Sequence, residues 1–179
     1  MNSLEKSLEA ISSIWGPLSS ELVAGCKQQL ETLLQTPISE QWLATLCLEQ
    51  LAQKELYRDP ANGFVLLAHS EPQELYRAPH DHGQGWVIYA IQQGEIEMGT
   101  YARIERADGK VELVKRDTTV LGAGMAQVYL PGDIHDTRCV SGPALLFRFT
   151  ERDLKKEAKA GTLTRYVWGD GIWTLEPQQ

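Results

Sequence analysis

Apolar residues in the first third of the chain recur at helical spacing. Leu4, Leu8 and Ile11 share one helical face, and Gly16-Pro17 closes that run. Leu22, Cys26, Leu30, Leu33 and Leu34 make a second stripe, behind Ser20 as its expected cap. Trp42, Leu43, Leu46 and Leu51 make a third behind Ser39, with Pro37 separating the last two. The pattern predicts three amphipathic helices whose stripes are packing faces.

From Glu55 the period changes, and short β-rich runs alternate with Gly, Pro, Asp and Asn. These runs are 64–68, 86–91, 96–101, 111–114, 125–130 and 144–149. Ala107-Asp108-Gly109-Lys110 is a hairpin turn between two of them. Glu151 to Ala160 is charged and helical in pattern, and 166–168 and 172–175 are late strands. Many short strands at close spacing predict a sandwich or barrel. The expected organisation is a helical lobe over 1–54 and a β domain with a C-terminal extension over 55–179, forming one structural unit.

Composition narrows the function. With 179 residues, 42% of them apolar and 23% charged, the chain can bury a core without disulfides. A net charge of −7 disfavours nucleic acid, because phosphate contacts need clustered Lys and Arg. It leaves room for a small anionic substrate, since a local metal or a buried Arg outweighs a distant surface charge. No run approaches the roughly 18 apolar residues of a membrane span. The start, Met1-Asn2-Ser3-Leu4-Glu5-Lys6, lacks the pattern of a signal peptide. Cys26, Cys47 and Cys139 form no CxxC pair, so a reducing cytoplasm is the expected setting.

The chemical signal lies in the four histidines. On an extended segment His80 and His82 point to one face and Asp81 to the other, and two imidazoles on one face can share a metal. An apolar strand follows this pair and ends at Gln92-Gln93-Gly94. Later, Leu130-Pro131-Gly132-Asp133-Ile134-His135 delivers a third histidine from a Pro-Gly turn. His69 has no partner motif and reads as an ordinary histidine. Asp133 and Asp136 flank His135 and either orient it or terminate the turn. Alternation puts Leu146, Arg148 and Thr150 on one face and Phe147 and Phe149 on the other. If the former face lines a barrel, Arg148 is a buried cation placed for an anionic ligand. Tyr89 shares a face with Val87 and is a candidate pocket hydroxyl, while Trp86, Trp168 and Trp173 read as packing.

These residues resemble the motifs of the cupin superfamily. His80, His82 and Gly94 match the first motif, with Val87 where a Glu usually stands; Pro131, Gly132 and His135 match the second. Over about residues 55–150 the resemblance implies a double-stranded β-helix, a jelly-roll barrel with a metal at its mouth, and the family makes a homodimer the expected assembly. Without the Glu, the site keeps three neutral imidazoles and the full charge of a divalent ion, which favours anionic groups or oxygen. Such centres resemble the cysteine dioxygenase-like (thiol dioxygenase) cupins, and Tyr57-Arg58-Asp59-Pro60 resembles their entry segment. The resemblance implies an iron(II) centre on His80, His82 and His135, with Arg58 gripping a substrate carboxylate. The Ser-His-Tyr relay of that family is absent, its positions being Leu146, Arg148 and Thr150. The expected activity is a non-haem Fe(II) dioxygenase using dioxygen on a small carboxylate-bearing substrate, which a thiol would also suit. Arg58 and Arg148 would bind the anion, and Arg148 and Tyr89 would be catalytic. The alternatives are a cupin isomerase or decarboxylase using Zn, Mn or Ni, and a non-catalytic cupin that binds a small ligand.

Overall fold

In the computed structural model, which describes residues 1–176, the three expected helices form as α1 (Ser3–Ile14), α2 (Ser20–Leu33) and α3 (Gln41–Glu49). Asn2 and Glu5 close a capping box on α1, each side chain accepting the other's backbone N–H at 2.9 Å. The expected caps on the other two helices are each displaced by one residue. Ser19 caps α2, accepting from the Leu22 N–H at 3.1 Å, while Ser20 is already helical. The α3 cap is Glu40, not Ser39, and it makes no capping bond of its own. Its carboxylate instead accepts from Ser3 Oγ and Trp42 Nε1, both at 2.8 Å, tying α3 to α1.

The strands are β1 (Lys54–Arg58), β2 (Val65–Glu71), β3 (Tyr76–His80), β4 (Val87–Glu105), β5 (Val111–Leu121), β6 (Ala126–Tyr129) and β7 (Ile134–Thr150). A short helix, α4 (Leu154–Lys159), and a final hairpin, β8 (Tyr166–Gly169) and β9 (Ile172–Leu175), complete the chain as far as residue 176. The runs expected as separate strands at 86–91 and 96–101 belong to one 19-residue strand, β4, while β1 and β3 lie outside the expected runs. All strands join one antiparallel sheet ordered β1-β2-β7-β4-β5-β9-β8, with β3 on β7 and β6 on β4. The C-terminal half of β7 pairs with β2 and the N-terminal half with β3, while β4 runs beside both halves. Register shifts on β4 between Ile91 and Ile96 mark the bend where the sheet curls on itself. The result is a mainly β, double-stranded β-helix barrel with helices at its N-terminus.

Period-2 alternation assigns the two faces of this sheet. Phe64, Leu66, Ala68, Ile88, Ala90, Leu145, Phe147 and Phe149 form one cluster with the stripes of α1, α2 and α3. Trp15 seals it, with ring centroids 4.8 Å from Phe64 and 6.2 Å from Trp86. Val87, Tyr89, Ile91, Ala144 and Leu146 pack on the opposite face, inside the barrel. The helices therefore cover the outer face of the strands whose inner face carries the candidate site.

Gly94 sits at the bend with φ +79°, in the left-handed region that side chains resist. A Cβ there would collide with the Ser141 carbonyl oxygen and lie 2.8 Å from the Ala144 methyl. Gly94→Ala should therefore cost about 2–3 kcal/mol of stability, read from the midpoint of urea unfolding. An unchanged midpoint would mean that the bend tolerates a side chain.

Candidate metal centre

The fold brings His80, His82 and His135 together, their ligand atoms all within 4.8 Å of one another. His80 ends β3 and lies opposite His135, near the start of β7. The turn Leu130–Asp133 starts β7 just ahead of His135, with the Leu130 N–H donating to Asp133 Oδ2 at 2.7 Å and Gly132 at φ +88°. Asp133 thus terminates the turn. Asp136 accepts from Tyr76 Oη at 2.9 Å, the Gly99 N–H at 2.8 Å and Tyr101 Oη, so it organises the neighbouring strands and does not hold His135. The His135 ring is held by stacking on Tyr129, with centroids 4.0 Å apart and planes at 19°.

The loop between the first two histidines alternates as an extended segment should. Asp81 turns away from the triad, accepting from the Gly83 N–H at 3.0 Å and the Thr164 N–H at 2.8 Å. The Asp81 N–H in turn donates to the Thr164 carbonyl at 3.0 Å, and Glu157 accepts from the Gln84 N–H at 3.1 Å. The segment from α4 to β8 thereby clamps the ligand loop from outside.

The His82–His135 pair has the spacing of two ligands on one divalent cation. Nε2 of His82 and Nε2 of His135 stand 3.2 Å apart. That lies between the edges of an octahedron and a tetrahedron built on ~2.1 Å metal–nitrogen bonds, about 3.0 and 3.4 Å. His80 Nδ1 lies 2.9 Å from the Ala78 carbonyl, which can only accept, so Nδ1 carries the proton and Nε2 keeps its lone pair. Burial pushes all three imidazoles below their ordinary pKa, and the neighbouring rings and Arg148 add to the effect at His82 and His135. Neutral imidazoles are the form that ligates. Val87 lies inside the barrel with Tyr89 and Tyr129, and no carboxylate joins the triad among the described residues.

A pocket of about 700 Å³ opens over His80 and His82. Its lining includes five cations, Arg58, Arg77, Arg148, Lys155 and Arg165, against the carboxylates of Glu55, Asp153 and Glu176. The site is therefore cationic in a chain of net charge −7. Arg148 stands directly between Leu67 and Tyr89 on adjacent strands. Its Nε is buried with no protein partner, and it forms no ion pair among the described residues. Tyr89 Oη lies 3.4 Å from His82 Nε2. Arg58 sits on the rim with its guanidinium held by Glu55 at 2.8 Å and Asp153 at 2.9 Å, so an incoming carboxylate must compete with two already bound.

His69, read from the sequence as an ordinary histidine, borders the pocket. It is buried on β2, its Nδ1 lies 3.2 Å from the Ala52 carbonyl, and its Nε2 has no partner. It lines the main pocket together with Arg148. The signal was available in the alternation Val65, Leu67, His69, which places it on the pocket face, but only strand pairing shows which face that is. Lys155 and Arg165 were missed because the C-terminal segment reaches the site through tertiary contacts alone.

No protein-family model and no curated protein matches this sequence. Solved structures similar to it include KdgF from Halomonas sp., at 16% identity and a TM-score of 0.43, covering 55% of this chain and 74% of that one. The Cnp3 cupin domain of Schizosaccharomyces pombe is similar at 13% identity and a TM-score of 0.45, over 62% of this chain and 66% of that one. A double-stranded β-helix protein from Klebsiella pneumoniae is similar at 18% identity and a TM-score of 0.40, over 55% and 68%. No helix among the described residues is long and apolar enough to cross a membrane.

Two measurements check this site. His82→Ala should lose most bound metal, while His69→Ala should retain it, as read by mass spectrometry of the purified proteins; equal metal content would remove the triad from consideration. Burial, with the charges of Arg148 and Arg77, pushes the His69 pKa from 6.5 down to about 3. Between those pH values the unfolded chain binds a proton that the folded one refuses, so stability is lost as pH falls below 6.5. His69→Gln should flatten the slope of unfolding free energy against pH in that window by up to about 1.4 kcal/mol per pH unit. An identical slope in both proteins would show that His69 is protonated when folded.

Proposed function

We propose that this chain is a metal-dependent enzyme, a non-haem Fe(II) dioxygenase acting on a small carboxylate-bearing substrate. The observation that carries the reading is the pairing of a carboxylate-free triple-histidine site with Arg148, which borders the same pocket with a buried Nε that has no protein partner and with no ion pair among the described residues. A divalent ion held by His80, His82 and His135 would supply Lewis-acid polarisation and, as iron(II), the means to activate dioxygen. The protein's own part is binding and orientation. Arg148 brings a planar guanidinium fork to the pocket lining, suited to a carboxylate. Tyr89, buried and held neutral because burial raises its pKa, offers a hydroxyl near His82 that can donate to a substrate or pass on a proton. Arg165 and Lys155 at the mouth raise the local concentration of anions.

The donor set supports a second reading, because three imidazoles also suit zinc and, less specifically, manganese or nickel. An isomerase or decarboxylase would then use the same anion pocket without oxygen.

The deciding experiment is anaerobic loading with iron(II), then oxygen-electrode measurement with a panel of small thiols, hydroxy acids and other carboxylates. Substrate-dependent oxygen uptake is expected. Arg148→Met should raise KM about tenfold or more, the worth of one charge-assisted hydrogen bond, without changing metal content. Turnover of a carboxylate with zinc or nickel and no oxygen uptake would replace the dioxygenase with the second reading.

A further inference from the structure

Behind the main pocket lies a recess of about 30 Å³, the volume of a single small group, with His69, His80 and Arg148 bordering both spaces. Tyr89, Glu71 and Arg77 also wall it. Two buried atoms on its border have no protein partner: Nε2 of His69 and Nε of Arg148. They differ in kind. The His69 Nδ1 faces the Ala52 carbonyl and so carries the ring proton, which makes Nε2 an acceptor; the guanidinium can only donate. Leu67 pairs with Arg148 and His69 with Leu146, so His69 and Arg148 are diagonal neighbours on the inner face, with Cα atoms about 7–8 Å apart.

A ligand that completes both atoms must bring an anionic acceptor to Arg148 and a hydrogen-bond donor to His69. The charge around the recess selects the donor. Arg148 and Arg77 both border it, against the single carboxylate of Glu71, which is bound to Arg77 at 2.8 Å. An ammonium group would enter a cationic recess, whereas a neutral hydroxyl would not be repelled. We infer that His69 is a specificity residue of this site and that the substrate is a small hydroxy acid, its carboxylate on Arg148 and its hydroxyl donating to His69 Nε2. This inference rests on the anion-binding reading of Arg148 given above.

Lactate, alanine and propionate share a carbon skeleton and differ in presenting a hydroxyl, an ammonium or a hydrogen. Their binding to the purified protein is measured by titration calorimetry. Lactate should bind about fivefold or more tighter than either of the others, the worth of one hydrogen bond to a buried acceptor. His69→Asn keeps an N–H for the Ala52 carbonyl but withdraws the acceptor, and should reduce that preference to within about twofold. His69→Gln, which returns an acceptor near the Nε2 position, should restore most of it. If His69→Asn does not fold, His69→Leu serves in its place. Arg148→Met should weaken all three ligands.

A lactate preference that is missing, or that survives the loss of the acceptor, overturns the role of His69 while leaving Arg148 untouched. Unchanged binding of all three ligands to Arg148→Met overturns the anion pocket itself. Failure of all three to bind the wild-type protein at about 10 mM overturns both.

Discussion

Strand β7 lies between β2 and β4, and the alternation of side chains along it organises both the core and the site. Phe147 and Phe149 turn outward to the helices, so Leu146, Arg148 and Thr150 must turn inward. The same rungs carry Leu67 and His69 from β2 and Tyr89 and Ile91 from β4. A slip of one residue would bury Arg148 against the helical lobe and present phenylalanine to the pocket. The aromatic packing on the outside thus fixes the register that aims the polar groups inside. Trp15, tilted against Phe64 and stacked on Trp86, links that register to α1.

The electrostatics follow from this placement. Burial keeps the imidazoles neutral, which suits them to a cation, and leaves the guanidinium of Arg148 as a fixed positive charge nearby. The pocket lining carries more cations than carboxylates, although the chain as a whole is acidic. Arg58 behaves differently because it lies on the rim, where Glu55 and Asp153 already neutralise it.

The C-terminal segment has a part in the site as well as in the fold. Thr164 and Glu157 hold the backbone of the loop that carries His80 and His82, and Arg165 bridges to the His80 backbone. The outer wall of the pocket and the position of two members of the histidine triad therefore depend on the same contacts.

Local chemistry in the sequence determined the helical stripes, the change to period two after residue 54 and the hairpin at Ala107–Lys110, because each follows from backbone preference and side-chain spacing over a few residues. It also marked the three histidines, since an i, i+2 pair and a Pro-Gly turn are short-range patterns. Whether an alternating strand presents its odd or even residues to the pocket is decided by pairing, and that is why His69 read as an ordinary histidine while Arg148 could be raised only conditionally. One partner of Arg58 was likewise hidden, Asp153 lying 95 positions away in the chain. Spacing along the chain sets what a side chain can do; only the curled sheet, by fixing inside and outside, decided which of these side chains share a site.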